Sequence, residues 1–361
     1  MARYSPQLFF YLAGAGLIVA MLAGVLMGPV AIPLTVLGEA VATLFGANPA
    51  SSGPDLERQL LILSALRLPR MLLAALVGAC LALCGGAMQG LFRNPLADPS
   101  LIGVSAGASL GASLVIVLVP LLLGSGVIDG AMGETLSLSL MVGGAFMGGS
   151  LAVLLVYRLA TAPGVGAPGS TSIATMLLAG IAISALAGAG NSLLSFYADN
   201  EMLRRISLWQ MGRLDGADWP RVALAATALG LLLVGLLGQG RALNALLLGE
   251  SQARYLGIDV EHLKRRVILL TALGVGVTVA VAGAIVFVGL VVPHIVRLLI
   301  GPDHRFLLPA STLLGAALLV VADILSRLVV APAELPVGIV TALLGVPFFF
   351  SLLLRQRRGG T

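Results

Sequence analysis

Long apolar runs separated by short polar segments make up most of the 361-residue chain. Eight of these runs have roughly the 20 residues that a membrane-spanning helix needs, and they lack the apolar and polar alternation of barrel strands. The pattern therefore predicts an all-α integral membrane protein in which residues 1–361 form a single domain. The eight runs are residues 8–28, 66–90, 101–123, 136–160, 173–197, 221–238, 307–330 and 336–354.

A ninth apolar run, residues 267–300, is too long for a single crossing. As one helix it would extend about 51 Å, whereas the bilayer core is roughly 30 Å thick. Gly283, Gly289 and Pro293 offer positions at which a helix could break. We therefore predict two shorter helices here and ten transmembrane helices in total.

The distribution of basic residues favours the same count. Ten spans with both termini cytoplasmic place 13 basic residues inside and 8 outside, whereas nine spans place 9 inside and 12 outside. Because cytoplasmic loops carry the excess of Lys and Arg, ten spans fit better. The sequence thus predicts ten transmembrane helices with both termini in the cytoplasm.

Composition excludes several classes of function. With 58 % apolar and 10 % charged residues the chain belongs in a membrane, so the net charge of +5 reflects topology and indicates no nucleic-acid partner. The single lysine, Lys264, stands in no phosphate-binding Gly-Lys-Ser/Thr motif, and His262, His294 and His304 fit no zinc spacing. The chain therefore has neither of these two motifs, and we expect it to be no enzyme and to bind no metal or cofactor of its own.

Charges inside the spans separate two alternatives. Asp323 and Arg327 lie four residues apart on one helix, which favours a structural ion pair over the lone acid of a proton-coupled secondary carrier. A haem-bearing electron-transfer subunit would need paired axial histidines, and only His294 lies in a span. Both alternatives therefore fit the sequence poorly.

Two connecting segments are long. Residues 29–65 contain an amphipathic stretch, 33–45, which we expect to lie on the membrane surface. Residues 238–266 combine helical patterning, mixed charges and a glycine break at Gly257, which indicates two short helices. A loop of this length among short ones is typical of a functional segment, and docking of a soluble partner is its simplest function, although a solvated loop with its own small core is the alternative.

Three long segments resemble the FecCD-type permeases, the membrane subunits of type II ATP-binding cassette importers for ferric siderophores, haem and cobalamin. The similarity covers almost the whole chain. It is carried by LRLPRMLLAALVGACLALCGGAMQGLFRNPLADPSLIGVSAGASLGA (66–112), FVGLVVPHIVRLLIGPDHRFLLPAS (287–311) and ADILSRLVVAPAELPVGIVTALLGVPFF (322–349).

The resemblance implies a multi-pass protein of the bacterial inner membrane that works in an assembly. The expected partners are a second copy of the chain, two ATPase subunits that bind ATP and Mg, a periplasmic substrate-binding protein and membrane lipid. It also implies that residues 238–266 are cytoplasmic coupling helices, in which Glu250, Arg254, Tyr255 and Leu256 contact the ATPase.

The resemblance further implies docking and gate residues. Arg67, Arg70 and Arg327 match arginines that receive acidic residues of the binding protein, and guanidinium groups suit paired carboxylates, although interfacial snorkelling is the alternative. The turn after the second span resembles a cytoplasmic gate loop. The expected gate positions are Asn94 and Leu96, with a second constriction around Ser172 and Thr175; a purely structural turn is the alternative.

The substrate is expected at a short external half-helix within residues 198–220. Its Leu-Arg-x-x-Ser-x-Trp arrangement is closer to haem importers than to cobalamin importers, and Arg204, assisted by Arg205, could pair with a haem propionate. Haem is therefore the first expectation, with a ferric siderophore and then cobalamin as alternatives. The expected pathway residues are Arg204, Arg205, Trp209, Tyr197 and Met202.

Overall fold

The computed structural model describes residues 4–28, 33, 35–36, 38–39, 54–123, 131–161 and 172–358. Most of the amphipathic stretch 33–45, predicted to lie on the membrane surface, falls outside these residues. Within the described residues the secondary structure is helical, with no strand. This confirms the predicted all-α class.

Fourteen α-helices follow one another along the described chain, joined in three places by π- or 3-10-helical turns. The turns are Ile62–Arg67, Pro99–Ile102 and Leu237–Gln239. The helices are α1 (Pro6–Leu26), α2 (Pro54–Leu61), α3 (Leu68–Leu91), α4 (Val104–Leu123), α5 (Ala131–Ala160), α6 (Ile173–Tyr197), α7 (Asn200–Gln210), α8 (Trp219–Leu236), α9 (Gly240–Leu247), α10 (Glu250–Tyr255), α11 (Val260–Ala282), α12 (Val288–Ile300), α13 (His304–Leu328) and α14 (Val337–Arg358).

Eight helical stretches in the described residues are long and apolar enough to cross a membrane. They correspond to α1, α3 with α2, α4, α5, α6, α8 with α9, α11 and α13. Helix α12 and the apolar part of α14, Val337–Ser351, are shorter. The chain is thus a multi-pass membrane protein, and the count of ten crossings stays a prediction that includes these two helices.

The long run 267–300 breaks once. Helix α11 ends before Gly283, which has a φ of 70°, and α12 begins after Phe287, which has a φ of 69°. A β-carbon at Gly283 would collide with the carbonyl of Trp209, so only glycine fits this approach. The predicted division into two helices is confirmed, but Gly289 and Pro293 lie inside α12 and are not breakpoints.

Pro293 is accommodated by a neighbouring helix. Proline has no N–H, so it leaves the carbonyl of Gly289, four residues earlier, without its helical partner. The Nε2 of Gln89 in α3 approaches this carbonyl at 3.5 Å and donates to the carbonyl of Leu290 at 3.0 Å. Cross-helix hydrogen bonding thus keeps α12 continuous past its proline.

Helix α3 forms the centre of the bundle and packs against α8, α11, α12 and α13. The close approach depends on glycine: β-carbons at Gly78 and Gly85 would overlap the backbones of Gly315 and Gly289 respectively. Small residues at such crossings let helix backbones come together in a membrane. These glycine contacts determine how closely α12 and α13 approach α3.

The two ends of the bundle are distinguished by their contacts. At one end, which we call the predicted cytoplasmic end, Gly90 of α3 lies against the ring of His304 at the start of α13. At the other, the predicted external end, Arg70 of α3 meets Asp323 of α13. Helix α7 also lies at this second end, since the backbone N–H of Arg213 just after it donates to the carbonyl of Ala282 at 2.8 Å.

The segment 238–266 follows directly on a membrane helix. Helix α8 ends at Leu236, and the turn Leu237–Gln239 leads without a break into α9, so one apolar stretch extends from Trp219 to Leu247. Two short helices, α9 and α10, follow the expected pattern. Glycines with positive φ end them, Gly249 at 115° and Gly257 at 80°.

Candidate substrate groove and coupling site

A polar groove of about 630 Å³ lies between α4 and α6 and reaches the end of α7. This volume is within the range of ligand pockets. Seven of its ten lining residues carry a hydroxyl or amide group, and none carries a charge or an aromatic ring. The polar ones are Ser105, Ser109, Ser184, Asn191, Ser192, Ser195 and Gln210; the others are Ala106, Gly188 and Ala284.

Asn191 joins the two walls of the groove. Its Nδ2 donates to the Oγ of Ser109 at 3.2 Å, across from α6 to α4. Its Oδ1 is buried and accepts no hydrogen bond from the described residues. A buried acceptor without a donor is costly, so Asn191 presents an acceptor that a ligand donor or water would stabilise.

The sequence prediction missed these groove residues, although a signal was present. Positions 184, 188, 191, 192 and 195 recur every three or four residues, as do 105 and 109, so each set lies on one face of its helix. A stripe of serine, glycine and asparagine in an otherwise apolar span is the pattern that indicates a polar face. The pathway residues predicted from the sequence lie only in α7 and at Tyr197, the last residue of α6.

The mouth helix α7 begins at a capped N-terminus, where Asp199 Oδ1 accepts from the backbone N–H of Met202 at 2.8 Å. Arg204 and Arg205 are exposed and both contact Glu201, at 3.5 and 3.1 Å. The two guanidinium groups thus share one carboxylate, while the second acid of this segment, Asp199, is used in the cap. Gln210, the last residue of this helix, lines the groove.

The other predicted pathway residues lie around this helix but not in the groove wall. Tyr197 is exposed and packs edge-on against Phe196, with ring centroids 5.3 Å apart. Trp209 packs against the hydrophobic core, and Met202 is half-buried. The structure therefore groups the predicted pathway residues in α7 and at the end of α6, a region we call the predicted mouth, and adds a separate groove next to it.

The predicted gate positions have local hydrogen bonds. Asn94 is exposed and its Oδ1 accepts from the backbone N–H of Leu96 at 2.9 Å, which forms a tight turn. Ser172 caps α6, since its Oγ accepts from the N–H of Thr175 at 3.3 Å and from its hydroxyl at 3.0 Å. These four residues shape the ends of their segments, and their role as a gate stays a prediction.

The gate loop and α6 meet through a different pair. A β-carbon at Gly180 of α6 would overlap the carbonyl of Leu101 in the turn Pro99–Ile102. Glycine here lets the loop backbone lie directly on the groove helix. A movement of the loop would therefore be transmitted to α6 at this contact.

Residues 238–266, which we call the coupling segment after their predicted role, present an apolar surface. Tyr255 is 91 % exposed and Leu256 is 63 % exposed, at the C-terminal end of α10. Large apolar side chains left in water in this way are typical of an interaction site. Of the other predicted contact residues, Arg254 is exposed near Glu261 at 3.6 Å, and Glu250 is paired with Lys264 at 2.9 Å.

Helix α9 is fixed to the start of α13 by one side chain. Asn244 Nδ2 donates to Asp303 Oδ1 at 2.6 Å, and Asn244 Oδ1 accepts from the backbone N–H of His304 at 2.9 Å. These bonds cap α13 and tie the beginning of the coupling segment to a central helix. These hydrogen bonds therefore hold α9 against the bundle.

Three carboxyl groups near the predicted cytoplasmic end have shifted pKa values. Hydrogen bonds from Arg305 hold the pKa of Asp303 well below its ordinary value, and the backbone N–H of His262 lowers the pKa of Asp259. Burial raises the pKa of Asp98 in the gate loop. The contribution of Asp303 to stability is therefore fully present above the pKa of an unfolded aspartate and is lost progressively as the pH falls from there through the lowered pKa of the folded state.

The three arginines predicted to dock a binding protein lie together at the predicted external end, but two of them point inward. Arg67 donates to the carbonyl of Val25, and Arg327 donates to the carbonyls of Gly24 at 3.1 Å and Met27 at 3.2 Å. These carbonyls end α1, so the guanidinium groups complete its C-terminus. The docking role of these arginines stays a prediction.

Asp323 is the common partner in this arginine cluster. It is fully buried, with Oδ1 2.9 Å from Nε of Arg70 and Oδ2 3.1 Å from Nε of Arg327. The second contact is an ion pair without hydrogen-bond geometry, since that Nε is directed at the main-chain carbonyl of Asp323. The predicted ion pair between Asp323 and Arg327 is confirmed. Arg70 also reaches Glu334 at the rim, at 2.8 Å.

The described residues contain no group of three His, Cys, Asp or Glu side chains that could hold a metal ion. The polar side chains that line the groove between α4 and α6 are all neutral hydroxyl and amide groups. This donor set suits hydrogen bonding to the outside of a ligand. A metal chelate in the groove would have to keep its own ligands around the metal.

Comparison with known proteins identifies a family. Residues 16–355 match the model of the FecCD transport family. The chain is 47 % identical to a hemin transport system permease protein of Yersinia pestis over 81 % of this chain and 83 % of that protein. It is 43 % identical to a cobalamin import system permease protein of Halobacterium salinarum over 81 % of this chain and 73 % of that protein.

A solved structure has the same fold. An inward-facing metal-chelate type ABC transporter is 29 % identical, with a TM-score of 0.80, and the alignment covers 97 % of this chain and 99 % of that one. The fold together with these similarities thus defines a multi-pass membrane permease of the ATP-binding cassette importers. The chain belongs to the FecCD transport family, as its motifs predicted.

Proposed function

We propose that this permease imports haem, which a periplasmic binding protein delivers, by alternating access across the bacterial inner membrane. The observation that carries the proposal is the 47 % identity to a hemin permease over four-fifths of the chain. Arg204 and Arg205 support it, because two exposed guanidinium groups over one carboxylate suit the paired propionates of haem.

The groove between α4 and α6 provides the next step of the proposed path. Its hydroxyl and amide groups offer several weak hydrogen bonds and no metal ligand. Weak binding lets a substrate leave the site that it has entered, which a transport path requires. Haem would therefore pass Arg204 at the mouth and then move along the polar face of α6 with its iron chemistry unchanged.

A second copy of the chain is the proposed partner on this side. Only 22 % of the most apolar part of α6 is buried in the single chain, against 83 % for the stretch Asp55–Leu91 that includes α3. The exposed side chains of α6 are large and apolar, among them Leu178, Leu186 and Leu193. Pairing of two copies would cover these side chains.

The other proposed partners act at the two ends. Two ATPase subunits, which bind ATP and Mg, contact Arg254, Tyr255 and Leu256 of the coupling segment, whose exposed apolar surface they cover. A substrate-binding protein contacts the predicted external end. This permease then carries out no chemistry of its own, and lipid surrounds the remaining apolar faces.

A cobalamin-type chelate is the second candidate substrate, and one observation favours it. The groove is rich in hydroxyl and amide groups and has no aromatic residue. Such a surface suits the many amide side chains of a corrin better than the flat apolar face of a porphyrin. The 43 % identity to a cobalamin permease agrees with this candidate, and a ferric siderophore is the third.

The substrate is tested by uptake into proteoliposomes that contain the complete importer. We expect ATP-dependent accumulation of hemin, with ferric siderophore and cyanocobalamin as competitors that do not reduce it. Replacing Arg204 with glutamine should raise the half-saturating hemin concentration about fivefold, the effect of one partly exposed ion pair. Arg158→Gln, which removes an exposed arginine at the far end of α5, is the matched control. Accumulation of cobalamin without hemin would establish the second candidate instead.

Docking of the binding protein is tested at Glu334. Its carboxylate lies 2.8 Å from Nη1 of Arg70, and its side chain is 34 % exposed. An acidic residue of a partner would therefore compete with Glu334 for the same guanidinium group. Glu334→Gln should tighten binding of the substrate-binding protein by about threefold at low salt, and the gain should disappear at high salt. Glu57→Gln removes an exposed carboxylate from α2 at the same end as a control. Equal affinities for the two variants would count against Arg70 as a docking residue.

A further inference from the structure

The only lysine of the chain is buried between two glutamates. The side chain of Lys264 is 2 % exposed, and its Nζ lies 2.9 Å from Glu250 and 3.1 Å from Glu261. We call these three residues the Lys264 clamp. Glu250 is the first residue of the coupling helix α10, whereas Lys264 and Glu261 belong to the first turns of α11. The clamp therefore joins the coupling segment to a membrane-spanning helix by charge.

The turn between these helices is closed by backbone hydrogen bonds. Gly257, with a φ of 80°, ends α10, since its N–H donates to the carbonyl of Arg254 at 2.9 Å and the N–H of Ile258 donates to that of Ala253 at 3.0 Å. Beyond this turn, two ion pairs join side chains of α10 and α11: Glu250 with Lys264 at 2.9 Å, and Arg254 with Glu261 at 3.6 Å. The pair at Lys264 is the shorter one and its cation is buried, so it contributes most to holding the two helices together.

Helix α11 extends from the clamp to the mouth of the proposed pathway. Its 23 residues span about 34 Å, the thickness of a membrane core. At its far end the carbonyl of Ala282 accepts from the N–H of Arg213 at 2.8 Å, and Gly283 lies against the carbonyl of Trp209. Trp209 belongs to α7, the helix that carries Arg204. One rigid element thus touches the coupling segment at one end and the mouth helix at the other.

We propose that Lys264 is a positioning residue that makes α10 and α11 move as one body, so that nucleotide-driven movement of the coupling segment reaches the mouth helix α7. The proposal rests on the transport function proposed above and adds the route by which the two ends are linked. Coupling between distant sites travels through packed, rigid elements with defined contacts. The clamp and α11 form a contiguous route of this kind.

The chemistry of the clamp explains why a cation is required. A buried carboxylate or ammonium group is stable only when it is paired, and removal of one partner leaves the other charges uncompensated. Methionine at position 264 would keep the length and apolar stem of the side chain but would remove the charge that lies between Glu250 and Glu261. Glu261 would keep only its longer contact with Arg254, and the repulsion between the two carboxylates would loosen the contact between α10 and α11. Arginine would keep the charge and both pairings.

The test measures movement at the mouth as a function of nucleotide at the coupling segment. Asn200, exposed at the start of α7, is replaced by cysteine and labelled with an environment-sensitive fluorophore in the purified complex with its ATPase subunits. The native Cys80 and Cys84 are buried and will not react. The fluorescence change on addition of ATP is compared for the unmodified clamp, Lys264→Met and Lys264→Arg, with Arg158→Met as the control for loss of one cytoplasmic positive charge.

We expect Lys264→Met to reduce the ATP-induced fluorescence change about tenfold, the size of a typical coupling between two sites, while ATP hydrolysis by the complex continues. Lys264→Arg and Arg158→Met should give the full change. In proteoliposomes the amount of substrate moved per ATP should fall in parallel. The fluorescence signal needs no transported substrate, so it still decides the role of the clamp if the haem assignment fails.

A full fluorescence change in Lys264→Met would overturn the proposal. If that variant does not assemble with the ATPase, Glu250→Gln replaces it, because this change weakens one pairing and leaves Lys264 paired with Glu261. A reduced change in Glu250→Gln would support the clamp as the link. A full change in Glu250→Gln would show that Lys264 serves folding alone, and the proposal would be wrong.

Discussion

Replacing Asp323 with asparagine is expected to destabilise the permease more than any other single exchange of a charged group. The substitution keeps the size of the side chain but leaves the guanidinium groups of Arg70 and Arg327 without their shared carboxylate, 2.9 and 3.1 Å away. Arg67 adds a third positive charge in the same cluster. Breaking a buried pair by removing one partner costs about 3–5 kcal/mol, which is a large fraction of the stability of a folded domain.

The measurement is the thermal unfolding midpoint of the purified protein in detergent, together with its yield from the membrane. Asp55→Asn is the control, because Asp55 is exposed in α2 and lies in the same stretch of chain as Arg70. Adding Arg70→Met to Asp323→Asn should restore part of the loss, since it removes one of the uncompensated charges. An unfolding midpoint for Asp323→Asn equal to that of Asp55→Asn would show that the arginine cluster contributes little to stability.

Proline at Ala253 is expected to abolish coupling between ATP hydrolysis and transport while the protein still inserts and folds. Ala253 lies in the middle of α10, fully buried, and its N–H donates to the carbonyl of Gly249 at 2.9 Å. Proline removes this bond and its ring clashes with that carbonyl, at a cost of about 3 kcal/mol or more. A helix of six residues cannot absorb that cost, so Tyr255 and Leu256 would lose their positions.

Coupling is measured in proteoliposomes as the stimulation of ATPase activity by the loaded binding protein and as substrate moved per ATP. Ser251→Pro is the matched control, because Ser251 lies in the first turn of the same helix, where proline is tolerated. That variant should retain most of the coupling. Since α10 lies outside the spans, both variants should reach the membrane in normal amount. Coupled transport by Ala253→Pro would contradict the assignment of α10 to the ATPase contact.

The positions of the spans followed from the sequence because burial in lipid is a local requirement. Each run of about 20 apolar residues must satisfy its own backbone hydrogen bonds as a helix, so run boundaries and helix boundaries agree within a few residues in α1, α6 and α13. The break in 267–300 was also predicted. Its place at Gly283 was settled by the contact with Trp209, which no local pattern contains.

The candidate site was only partly predictable. The positions of Arg204, Arg205, Tyr255 and Leu256 followed from their motifs, and the structure places these residues on exposed surfaces. The polar face of α6 could have been found from its spacing, but its pairing with Ser109 of α4 could not. The inward direction of Arg67 and Arg327 depends on the end of α1, which is distant in the sequence.

The sequence by itself determined the class of protein: an apolar, helical membrane permease whose motifs carry the family. It did so because hydrophobicity and helical period act over one element at a time, and because long motifs are specific. The tertiary structure alone decided which charges are neutralised by which. In the sequence, Lys264 is one charged residue among several, and only the structure shows that its Nζ lies 2.9 Å from Glu250 and 3.1 Å from Glu261. Ion pairs form between residues that are close in space. The pairs described above join different helices, and the sequence does not show which helices are neighbours.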